Sequence, residues 1–158
     1  MMNLKPYRHK RLTSEQYTAY FLDHVKPLGH SNLYKVTKDI QAYKKVQWHE
    51  PDNAYCGYKN HKAIASLIIP KGAILHASLM WVSELNQRKI RANKAVVHQI
   101  HDVISDKNRL EANSDWASNF KYKVGKTVRP SGCRFYMGAG ICESGIHFFL
   151  QMEDALSY

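Results

Sequence analysis

Apolar positions along the chain alternate between two rhythms, and the switch between them defines the expected elements. Tyr17, Tyr20, Phe21 and Val25 recur at helical spacing, so a helix is predicted over Glu15–Val25. Thr13 or Ser14 caps it, Glu15 suits its positive end, and Pro27 and Gly29 stop it. Short alternating runs at Leu33–Val36 and Gln41–Val46 read as strands, and His49–Asn60, with Pro, Asp, Asn and Gly, reads as a loop. Lys62–Ile69 carries the densest β-forming run, ended by Pro70-Lys71-Gly72, with Ala73–Ala77 as its neighbour.

From Asn86 to Ser105 the spacing changes. Val96, Ile100, Val103 and Ile104 fall on one helical face, with Ala92 and Val97 at its edges, which predicts a central amphipathic helix. Lys107–Ser118 is a polar connector. Short strands then alternate with turns at Phe120–Val124, Thr127–Val128, Gly132–Gly140 and Gly145–Leu150, and a helical turn at Gln151–Leu156 closes the chain. The expected fold is α+β: a small, mainly antiparallel sheet packed on one central helix, with an N-terminal helix beside it. The expected organisation is a basic flexible arm over residues 1–12 and one domain over 13–158.

Charge sharpens the picture. The 158 residues include 23 Lys and Arg against 13 Asp and Glu, a formal net charge of +10. Such a field attracts nucleotides, polyanions or an acidic protein surface. Arg88, Lys89, Arg91 and Lys94 crowd the start of the expected helix while Asp102 and Asp106 sit at its end, the reverse of what a helix dipole favours. Those four cations are the candidate anion site, with Arg88 and Arg91 as a fork for phosphate; a solvated basic surface is the alternative. Tyr and Lys also interleave at Tyr34-Lys35, Tyr43-Lys44-Lys45, Tyr58-Lys59 and Tyr122-Lys123, either as stacking platforms for bases or as strands with Tyr inward and Lys outward. Tyr43, Lys44, Tyr122, Lys123, His147 and Tyr158 are the candidate pocket residues. His147 alternates with Ile146 and Phe148 and so faces away from them.

No complete catalytic set emerges. Cys133, Cys142 and His147, with Cys56 far upstream, lack the paired spacing of a zinc site, so no metal is expected and no cofactor is implied. Gly138–Gly140 lacks the Lys-Ser/Thr of a phosphate loop. Three irregularly spaced cysteines argue for a reducing compartment. No secretory signal stands at the N-terminus, and no run approaches the roughly 20 apolar residues of a membrane span. A cytoplasmic setting follows.

Ala42-Tyr43-Lys44-Lys45, Ile64–Ala73 (IASLIIPKGA), Arg88–Ile100 (RKIRANKAVVHQI), Tyr122–Pro130 (YKVGKTVRP) and Cys142–Tyr158 (CESGIHFFLQMEDALSY) together resemble an uncharacterised domain family of large DNA viruses and bacteriophages. Its members sometimes stand beside pentapeptide repeats. The family favours Lys-Cys-Arg where this chain has Lys89-Ile90-Arg91. The resemblance implies a viral accessory protein in the host cytoplasm, acting on host machinery or host defence. Gly145-Ile146-His147-Phe148 with Ala155 and Tyr158 is also similar to a segment of ADP-ribosyltransferases, with Tyr122-Lys123-Val124-Gly125 in place of their first strand. That similarity implies chemistry on NAD using His147 and Glu143 or Glu153, or a nucleotide held without turnover. Three functions are therefore expected to compete: capture of a nucleotide-like anion or docking on an acidic host protein, an NAD-dependent transferase, and nonspecific nucleic-acid binding.

Overall fold

The computed structural model describes residues 11–29, 32–52, 57–79, 88–115, 119–130 and 144–158. Helix α1 (Ser14–His24) forms where its pattern predicts, closed by a capping box between Thr13 and Gln16. It buries Tyr17 and Phe21, one turn apart, and Phe21 meets Tyr34 edge-on at 5.0 Å.

The rest is mostly strand. β1 (Val25–Pro27), β2 (Leu33–Val36), β5 (Ile74–His76), β6 (Ile90–Ala92) and β12 (Ile146–Phe148) form a five-stranded sheet in the order β1-β2-β5-β6-β12. A seven-stranded sheet runs β10-β9-β3-β4-β7-β11, with β8 also pairing β7. It comprises β3 (Ile40–Asp52), β4 (Gly57–Ile69), β7 (Ala95–Asp102), β8 (Asn108–Arg109), β9 (Glu111–Ser114), β10 (Lys121–Lys123) and β11 (Thr127–Val128). Every pairing is antiparallel. The second helix, α2 (Met152–Ser157), is short.

The expected sheet on a central helix is therefore wrong: the described residues of 86–105 hold no α-helix, and β6 and β7 stand there instead. A bulge explains the misleading spacing. Ser66 pairs Gln99 but Leu67 pairs Val97, which leaves His98 as an extra residue. Ala95 and Val97 face the core before it, Ile100 and Asp102 after it. One inserted residue turns a period of two into a three-residue step from Val97 to Ile100, which imitates a helix. The reversed helix charge disappears with the helix. The expected loop over 49–60 is also mostly ladder, because β3 and β4 stay paired out to Asp52 and Gly57. The polar connector supplies β8 and β9. The stretch Gly132–Gly140 lies outside the described residues.

The main core lies under one face of the β3–β4 hairpin, where Ile40, Ala42 and Val46 oppose Ile69, Leu67 and Ala63. A smaller cluster on its other face, Ile64, Phe149 and Ala155 with Tyr43, Met152 and Tyr158, seats α2. A backbone bridge links the two sheets. Tyr43 and Phe149 exchange two backbone hydrogen bonds of 2.8 Å, tying the end of β12 to β3. Gly72 permits the tight turn before β5 with its φ of +89°.

Candidate functional site

The seam where β12 meets β3 collects most of the candidate residues. Lys44 lies on the core face of β3, opposite Ala65, whose small side chain leaves room for it. It inverts the Tyr-inward pattern that Tyr34-Lys35 and Tyr122-Lys123 obey. Lys44 is buried, whereas Tyr43 is half-buried on the other face beneath α2. The Lys44 ammonium donates to the His147 carbonyl at 3.1 Å and lies 5.9 Å from the Tyr122 ring centre. Burial, with the charge of Lys89 acting in the same sense and Asp115 against it, pulls its pKa down to about 8.

Lys89 approaches the same region from the entry to β6. Its ammonium donates to the Tyr158 hydroxyl at 2.5 Å and stands 4.4 Å from that ring's centre. Tyr158 in turn packs on Phe149, ring centres 5.3 Å apart. Arg91 is 1% exposed, and its Nη1 donates to the Ser144 carbonyl at 2.6 Å. Strand register sets Arg91 between two imidazoles, with His76 opposite it on β5 and His147 opposite it on β12. Paired residues share a face, so His76, Arg91 and His147 form one row, away from the core face of Leu75, Ala92 and Ile146.

The remaining candidates lie elsewhere. Arg88 serves the fold: its guanidinium reaches Asp154 at 3.5 Å and the Leu12 carbonyl at 3.0 Å, and stacks on Tyr17. Arg11 adds a second contact to Asp154 at 3.0 Å, so the last two residues of the expected arm are fixed to α2. The Arg88–Arg91 fork on a helix end is thus not formed. Lys94 is half-buried in the link between β6 and β7, and Lys123 is exposed beside Glu111 at 4.0 Å. Glu153 lies in the first turn of α2, and Glu143, Cys56, Cys133, Cys142 and Gly138–Gly140 lie outside the described residues.

Sequence reasoning missed His76 and Asp154. The alternation Ala73, Leu75, Ala77 was a usable signal for His76, since it turns that histidine to the opposite face of β5 from the core. Among the described residues no group of three or more His, Cys, Asp and Glu could hold a metal ion, and no helix is long and apolar enough to cross a membrane.

The chain belongs to a family of unknown function, DUF5758, whose model matches residues 32–155. No curated protein and no solved structure matches it.

Proposed function

We propose that the protein works by binding, and that it captures a phosphate-bearing, nucleotide-like ligand at the seam between its two sheets. The observation that carries this reading is the placement of three cations around the end of β12, with Lys44 on the His147 carbonyl, Lys89 on the Tyr158 hydroxyl and Arg91 opposite His147 in the strand register. Like charges brought together in a low-dielectric setting cost stability, and an anion placed among them offsets that cost. His76 and His147 flank Arg91 with further donors, and the half-buried Tyr158 ring, in contact with the Lys89 ammonium, offers apolar surface for a base. The family resemblance supports a viral or bacteriophage setting, with capture in the host cytoplasm serving to blunt a host response.

The test is calorimetric titration with ADP and with NAD at pH 8, in two buffers of different ionisation enthalpy. An anion beside Lys44 raises the ammonium's pKa from about 8, so binding takes up roughly half a proton. Lys44→Met should abolish the uptake, and Lys89→Gln should weaken binding. No binding of either nucleotide, or binding without proton uptake, overturns the reading.

A further inference from the structure

The far edge of the five-stranded sheet, four strands from the seam, carries a second cationic feature. Lys26 on β1 and Lys35 on β2 are cross-strand partners, so two ammonium-bearing side chains stand directly opposite each other. Like charges in that position are destabilising, with Cβ atoms about 5 Å apart. Lys71 joins them from the turn before β5, which is held against β2 by a 2.8 Å bond from the Gly72 N–H to the Val36 carbonyl. Together with Val36, Thr37 and Gly72 they line a groove of about 610 Å³. All three lysines are exposed, and among the described residues none of their ammonium groups has an ion-pair partner, whereas nearby Lys38 is held by Asp23 at 3.1 Å.

We infer that this groove docks the phosphate backbone of double-stranded nucleic acid without reading its sequence. Three lysines lining one concavity match a closely spaced line of phosphates. The lining has no aromatic ring on which an unstacked base could lie, which favours a duplex over a single strand. It also has no aromatic or arginine anchor of the kind that dominates protein–protein contacts, which disfavours an acidic polypeptide. The inference stands apart from ligand capture at the seam, because no residue is shared.

The test is anisotropy of a labelled 20-base-pair duplex of mixed sequence between 50 and 200 mM salt, comparing the protein with its K26Q/K35Q/K71Q variant. Three phosphate contacts contribute a slope of about −2.7 in log K against log salt, so they account for a loss of about 40-fold over that range. The variant should bind more weakly at 50 mM, show a slope shallower by about that amount, and melt no lower than the parent. An unchanged slope overturns the inference. Displacement of the duplex by polyglutamate or by phosphatidylserine vesicles at equal charge concentration overturns it too, in favour of an acidic protein or a membrane surface. If the triple variant melts early, K35Q alone supplies the test, with an expected slope change of about 0.9. Lys44→Met should leave duplex binding intact, which separates this groove from the seam.

Discussion

Lys44→Met should make the protein more stable at neutral pH and should lose that advantage as pH rises. In the folded chain the ammonium sits at about 8, against 10.5 for an ordinary lysine. The folded pKa is the lower one, so between these values the unfolded chain holds more protons and stability climbs with pH. Below 8 the full cost of the buried charge is present, about 3 kcal/mol for a shift of this size. Methionine keeps the length of the side chain without the charge, but gives up the bond to the His147 carbonyl, worth about 1 kcal/mol. The net gain at pH 7 is then about 2 kcal/mol, or roughly 4–8 °C in Tm for a chain of this length. Urea unfolding of parent and variant from pH 7 to 9.5 is the assay, and tyrosine ionisation in the unfolded chain, common to both proteins, cancels in their difference. The difference between them should shift by about 2 kcal/mol in favour of the parent across that range. Burial raises the pKa of Tyr122, whose ring centre lies 5.9 Å from the ammonium, so it stays neutral throughout. A variant less stable than the parent at pH 7, or an offset independent of pH, refutes the reasoning.

Two further changes probe the charges that hold the fold. Asp154→Ala should cost about 1.5–3 kcal/mol in chemical denaturation, because the charged contact to Arg88, only 3% exposed, is lost, whereas Arg11 reaches water. A loss under 1 kcal/mol shows that the pair is not a buried anchor. Asp102→Asn should cost about 2 kcal/mol at pH 7. Burial alone raises the Asp102 pKa, but N–H groups of Ser105, Trp48 and Ile104 outweigh it and hold the carboxylate at about 2. The folded value is below the ordinary 3.8, so its contribution is present above that pH and disappears as pH falls through about 2. The variant's acid-unfolding curve should be correspondingly flatter between pH 4 and 2, and an unchanged curve contradicts the assignment.

Local chemistry was legible wherever one segment sufficed to specify it. The α1 cap, the turn at Pro70-Lys71-Gly72, strand β2 and the C-terminal turn all form where short-range pattern puts them. The middle of the chain misled because its bulge is a tertiary event. His98 is extra only relative to β4, some thirty residues earlier, and nothing within 95–102 declares it. The β-branched Ile90, Val96, Val97 and Ile100 were the contrary signal, since such residues favour strands over helices. The end of the hairpin was hidden differently. Turn-forming residues spread over 49–60 suggest a long loop, yet the backbone ladder continues to Asp52 and Gly57.

The seam has the same origin as those errors, since it exists only through register. Lys44, Lys89–Arg91 and His147 come from β3, the entry to β6 and β12, and no spacing along the chain brings them together. What sequence does carry is phase. On β3, Ile40, Ala42 and Val46 are core positions, so Lys44 occupies the third of four places on an otherwise apolar face. Tyr43 alone would make the Tyr-Lys pair look ordinary, because tyrosine is the expected inward residue. The two-residue phase set by Ile40, Ala42 and Val46 contradicts that and assigns the inward place to the lysine. A lysine in phase with a core stripe loses proton affinity on burial, which Asp115 offsets only in part, so proton uptake on binding reports a further anion reaching Lys44.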